Sequence, residues 1–291
     1  MKCFKPTLEY FFNKGAQLVL LSIVPSLLSA LVFSPSAGLY YLLNYRHIAT
    51  ENFVELYEDM HFLPYDFYWV GIIGLVLYCL AVALLFGIVD RHMRIGEFTI
   101  SFSRAKTRLN YNILTALRFS LVVGVAFVLG DLILTVLYYF WATAFGAGEA
   151  WLVMSIISWL LVSCGLLVFC CSIQLWPPFM LHTGLRSRDA FKMGWRQMSG
   201  RIFSSAITML VAVVPFQAVM FLVGGLTDST AARVVLDGLA FAVVLPYYIT
   251  MMYVNFYDVT GTERMDLQKT DIWSKRVSRK RNKEIYRNDE K

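Results

Sequence analysis

Six tracts of almost unbroken apolar residues set the rhythm of this chain: Gln17–Tyr40, Phe67–Val89, Phe119–Trp141, Trp151–Leu175, Ile202–Val223 and Leu236–Phe256. About 20 apolar residues suffice for a helix to cross the hydrocarbon core of a bilayer. Backbone polar groups in lipid must bond within the segment, and a helix does that. The pattern predicts an all-α integral membrane protein, with one six-helix domain over residues 1–256 and a basic tail over 257–291.

Between the tracts the period changes to that of a helix with one apolar face. In SRDAFKMGWRQMSGRIF (187–203), Phe191, Trp195, Met198 and Ile202 recur at spacings of four, three and four, with Lys192 and Arg196 beside them. That stripe predicts an amphipathic helix lying in the membrane interface, with Asp189 as its N-cap. A similar stripe appears at Phe102, Ala105, Leu109 and Ile113, and a fainter one in TLEYFFNKGAQL (7–18). A shift of 89 residues lays Phe102 on Phe191, Leu109 on Met198 and Ile113 on Ile202. One expected architecture is a repeat of interfacial helices, each preceding a transmembrane hairpin; the alternative is chance matching within a small apolar alphabet.

Composition agrees, with 58% hydrophobic and 16% charged residues against about 25% charged in soluble domains. Charge supplies the orientation. Of the 26 Lys and Arg residues, all but Arg46 and Arg233 lie before the first tract, in the 90–118 and 181–201 loops, or in the tail. The positive-inside bias places both termini and both basic loops in the cytoplasm, and the acidic 45–66 loop outside. The apolar core of the first tract is longer than a signal-peptide core, so it is expected to be retained. The five cysteines follow no disulfide or metal spacing.

DAFKMGWRQMSGRIF followed by an apolar span resembles a segment that recurs in the YciC-like and YesL-like groups of bacterial integral membrane proteins. Ala190, Trp195 and Gly200 are the matching positions, and PSLLSALVFSPSAGLYYLLN (25–44) is similar to the N-terminal part of the YesL-like group. The resemblance implies a multi-pass bacterial plasma-membrane protein of undefined molecular activity. It carries over no catalytic residue.

Asp131 is the one carboxylate deep in a tract, and Gln217 lies at similar depth in the fifth. An ionisable group there is a functional candidate by default. A hydrogen bond from Gln217 to Asp131 is the favoured expectation; proton coupling is the alternative. Pro25, Pro215 and Pro246 are expected to bend their helices, and Pro177-Pro178 to stop the fourth. The stripe Ser22, Ser26 and Ser29 is expected to let helices pack closely.

The tail cations Lys275, Arg276, Arg279, Lys280, Arg281 and Lys283 would attract anionic lipid at about 1 kcal/mol each; a solvated tail that only reinforces topology is the alternative. No nucleophile elbow, zinc-protease helix or phosphate loop is present, and the four His lack metal spacing. No catalytic residue, metal ligand or cofactor is expected, and nucleic acid is not an expected partner, because no stacking platform or folded basic module accompanies the charge. The partners expected are the bilayer, with its anionic lipids, and another membrane protein. The sequence thus points to a non-enzymatic accessory, assembly or regulatory protein of transport or envelope machinery. Its alternative is a small secondary transporter or channel using Asp131.

Overall fold

A computed structural model describes residues 3–32, 35, 52–61, 68–96, 98, 109–146, 148–226 and 229–267. Nine helices follow one another among them. They are α1 (Phe4–Ser29), α2 (Phe53–His61), α3 (Tyr68–Ile95), α4 (Leu109–Phe145), α5 (Glu149–Ile173), α6 (Trp176–Thr183), α7 (Ser187–Met198), α8 (Ile202–Leu226) and α9 (Thr230–Thr260). No strand occurs among the described residues. Six segments are long and apolar enough to cross a membrane: α1, α3, α4, α5 continued by α6, α8 and α9.

The helices overrun the apolar tracts. With 37 residues rising about 1.5 Å each, α4 reaches about 55 Å, well past the roughly 30 Å of a hydrocarbon core. α1 begins at Phe4 rather than Gln17. The stripe at 7–18 is thus no separate helix: no Pro separates it from the first apolar tract, and its buried face of Thr7, Tyr10, Gly15 and Leu18 continues through Ser22, Ser26 and Ser29. The 101–108 part of the second stripe lies outside the described residues, and Leu109 and Ile113 belong to α4 itself. Pro25, Pro215 and Pro246 sit inside continuous helices. Pro177 and Pro178 occupy the first turn of α6, where a missing N–H removes no helical bond; they restart the helix after Ile173 rather than ending it.

Packing follows a ring, α1–α3–α4–α5–α8–α9 and back to α1, with α9 also touching α3. α1 runs antiparallel to both neighbours, and here backbones approach closely. A Cβ on Gly74 would come within 2.4 Å of the Leu28 carbonyl carbon, and one on Gly238 within 2.8 Å of the Leu27 Cα. The Ser22 hydroxyl donates to the Ala242 carbonyl at 2.9 Å. Small residues permit such approach.

Two cores result. The larger lies towards the end where α1 begins and α9 ends, the basal end. The smaller, distal core gathers Leu134, Tyr138, Trp151, Met220 and Ala240 around Leu56 of α2. α2 is tied to α4 through this core and through the Phe53–Tyr139 ring contact at 6.0 Å.

Candidate functional site

The basal end collects polar chemistry that the sequence scatters. The C-cap of α5 is Gln174, fully buried and bonded three ways. Its Nε2 donates to Ser205 Oγ of α8 at 2.9 Å and faces the Met198 sulfur of α7 at 3.3 Å. Asn255 Nδ2 of α9 donates to Gln174 Oε1 at 3.3 Å and to Ser205 Oγ at 3.1 Å. Buried amides are costly unless satisfied, so this knot fixes four helices to one another.

A second node is Asp90, in the penultimate turn of α3. His182 Nδ1 of α6 lies 3.2 Å from its Oδ1, and Arg94 Nε lies 3.7 Å from Oδ2. The rings of Phe256 and Tyr257 flank His182 at 5.0 and 5.6 Å. His92 Nδ1 sits 2.9 Å from the Tyr10 hydroxyl, and Arg264 pairs with Asp266 at 2.7 Å while lying over the Tyr10 ring. The Asp90–His182 pair and the ring contacts of His182 hold α6 against α3 and α9, and the His92–Tyr10 bond ties α3 to α1. The donor set suits a clasp: among the described residues no group of three or more His, Cys, Asp or Glu could hold a metal ion.

α6 stops at Gly184, whose φ of +70° closes the helix by returning its N–H to the Met180 carbonyl at 3.1 Å. The chain then turns into α7. This helix starts at Ser187 with Arg186 as its N-cap, so Asp189 sits in the first turn, where its charge meets the positive end of the helix. Ala190, Gly194 and Met198 form the buried face. A Cβ on Gly194 would lie 3.2 Å from the backbone of Leu175 and Trp176, so α7 rests directly on the joint between α5 and α6. Trp176 Nε1 donates to the Ser187 carbonyl at 3.0 Å and locks the pair.

The sequence-predicted residues divide around this helix. Phe191 and Trp195 stay partly open, at 36% and 48% exposure, and stack at 6.1 Å. Lys192 and Arg196 are exposed. Met198 departs from the expected stripe: it is fully buried against Gln174. At 3.6 residues per turn Phe191, Trp195 and Met198 span an arc of only about 60°, with Met198 at the edge next to Ala190 and Gly194, whose small side chains let that edge approach the bundle most closely.

Asp131 and Gln217 are not joined by a hydrogen bond. Gln217 Oε1 is buried without a hydrogen-bond partner among the described residues, and α4 and α8 are not among the extensively packed helix pairs. Asp131 is half-buried near α2, where burial first and its carboxylate second push the Tyr57 phenol up from its ordinary value. The tail cations from Lys275 to Lys283 lie outside the described residues. Sequence reading misses Gln174, Asn255, Asp90 and His182. Asn255 is detectable as a lone amide in the last apolar tract; nothing in the spacing of His92 and His182 shows that they meet at one end.

Comparison with family models, curated proteins and solved structures finds no match for this chain.

Proposed function

We propose that the chain is a non-enzymatic multi-pass plasma-membrane protein, acting as an accessory, assembly or regulatory partner of transport or envelope machinery. In this reading both termini and the α6–α7 segment face the cytoplasm, which the cation distribution supports. The observation that carries this reading is the seating of α7. Its small face is fixed to the bundle while its remaining faces, with Met193 and Gln197 among them, stay open. A helix held rigidly at its base and open elsewhere is built to present a surface.

The buried polar side chains around it tie helices together, as in the knot at Gln174 and the clasp at Asp90. A transporter reading rests on Asp131, which here keeps company with Tyr57 at the α2 side.

The test pairs two measurements on the full chain. Native electrophoresis of gently solubilised membranes is expected to find it in an assembly larger than the purified protein. A Gln197→Glu substitution on the open face should weaken that assembly without altering the stability of the purified protein. Proteoliposomes of the purified protein should carry no pH-driven flux. A flux abolished by Asp131→Asn, with no larger assembly, would replace this reading with the transporter.

A further inference from the structure

α7 carries three rows. Ala190, Gly194 and Met198 face the protein. Phe191 and Trp195 form a half-open aromatic shoulder beside them. Arg188, Lys192 and Arg196 recur every fourth residue and form an exposed cationic row on the far side of that shoulder. Lys5, Arg94, Arg201 and Arg264 each face a carboxylate. The three cations of the row have no ion pair among the described residues, and Asp189 is the only acidic residue of the helix.

A ladder of rings sets the level of this surface. Tyr248 stacks on Phe119 at 6.3 Å, Phe119 meets Trp176 at 6.4 Å, Trp176 meets Phe191 at 5.7 Å, and Phe191 stacks on Trp195 at 6.1 Å. It runs from the core outward, Phe119 being buried and Trp195 half open. Phe119 is also where the third apolar tract begins. The ladder therefore lies at the boundary between apolar and charged sequence, and Phe203, in the first turn of α8, is 79% exposed.

We infer that this surface of α7 is a binding site for anionic phospholipid, with the phosphate on Arg188, Lys192 and Arg196 and the glycerol and upper acyl region against Phe191 and Trp195. The inference deepens the reading of α7 as a cytoplasmic surface helix at the membrane and rests on it. The occupant is a lipid because the ring shoulder next to the cations continues the ring ladder from the apolar interior, where a phospholipid also changes from apolar to charged. Guanidinium groups match phosphate oxygens in pairs, and a row with an excess of cations favours a headgroup of net negative charge.

The test uses the full-length protein in neutral detergent and counts retained lipid by native mass spectrometry. Phosphatidylglycerol, phosphatidylcholine and inorganic phosphate are the probes. Wild type should retain phosphatidylglycerol over phosphatidylcholine. Each neutralised cation should lower that retention about fivefold, and Arg188→Gln, Lys192→Gln and Arg196→Gln together about a hundredfold. Arg188→Lys with Arg196→Lys should keep the preference, and Lys192→Gln alone gives the fivefold readout if the triple variant does not fold. The tail cations are present in every variant, so the difference reports on α7. Equal retention of the two lipids by wild type, or a preference that survives the triple substitution, would overturn the inference. So would inorganic phosphate displacing phosphatidylglycerol at equal concentration, which would assign the row to a free anion, or an acidic protein partner found to occupy the row in its place. The larger assembly proposed for the chain is read separately by electrophoresis, so either reading can fail without the other.

Discussion

The bundle contains two kinds of helix contact. In the trio of α1, α3 and α9, backbones meet. Cβ atoms do not fit at Gly71, Gly74 or Gly238, and the buried serines of α1 face the same contact. In the α4–α5 hairpin the glycines behave differently. Gly124 and Gly165 have nothing within 4 Å of a Cβ position, and Gly130 meets only the flexible end of Leu166. Large apolar residues such as Leu121, Val125, Leu129, Leu132 and Leu161 remain open on the hairpin. The difference teaches where rigidity resides. Helices in lipid gain little from burying apolar area against each other and associate through close packing and hydrogen bonds. The trio has both, whereas the hairpin keeps faces that suit acyl chains.

The sharpest way to break this contrast is Gly74→Ala. The added methyl would meet the Leu28 carbonyl carbon at 2.4 Å and the Ser29 nitrogen at 2.6 Å, and backbone cannot swing aside as a side chain can. A loss of about 3 kcal/mol is expected, the upper part of the overpacking range, measured by reversible denaturation in mixed micelles.

Asn255→Leu comes next. It removes the bond to Gln174 Oε1 that joins α9 of the trio to α5 of the hairpin, leaving a buried carbonyl unpaired at a loss of about 2 kcal/mol. Backbone hydrogen exchange at the end of α7 should rise with it, since Met198 shares that knot. Unchanged exchange there would uncouple α7 from the two regions.

Gly124→Ala should have the opposite sign. With open space around it, the methyl brings only helix propensity, a gain of up to about 1 kcal/mol. A loss at Gly124 similar to that at Gly74 would erase the distinction between the regions.

The smallest effect is expected from Asp131→Asn, where an amide keeps the shape and most of the hydrogen-bonding capacity of the half-buried carboxylate. Its readout is titration. Removing the negative charge takes away the second cause that raises the Tyr57 phenol, so Tyr57 should ionise at lower pH than in wild type. The sign for stability is then fixed. A phenol raised in the fold contributes stability that is complete below its unfolded value and is lost as pH rises through the folded one. The variant should therefore lose less stability than wild type as pH rises through this range. The check is tyrosinate absorbance against a Tyr57→Phe control.

Much of the fold is legible because a helix long and apolar enough to cross a membrane must announce itself. Each of the six long apolar segments carries one of the tracts, since no shorter or more polar stretch satisfies a bilayer. The helix at 187–198 is legible for a similar reason, its period being local. The candidate site is harder to see. Equal depth in two tracts suggests that Asp131 and Gln217 meet, but depth is one coordinate; the ring order of helices, which puts α5 between α4 and α8, is another. Spacing alone groups Met198 with Phe191 and Trp195, because the period of one stripe cannot say which of its edges adjoins the packed face.

What the sequence alone determined was the membrane-length helices, the concentration of cations at one end, and the existence of a charged aromatic helix between the fourth and fifth tracts. These depend on each segment against its solvent, one residue at a time. Tertiary structure decided which groups are neighbours. It brought Asp90 to His182 across 92 positions and Gln174 to Asn255 across 81, and it turned Ala190, Gly194 and Met198 inward. Those choices depend on which helix lies beside which and how closely, and close approach is set by pairs of surfaces that no single segment contains.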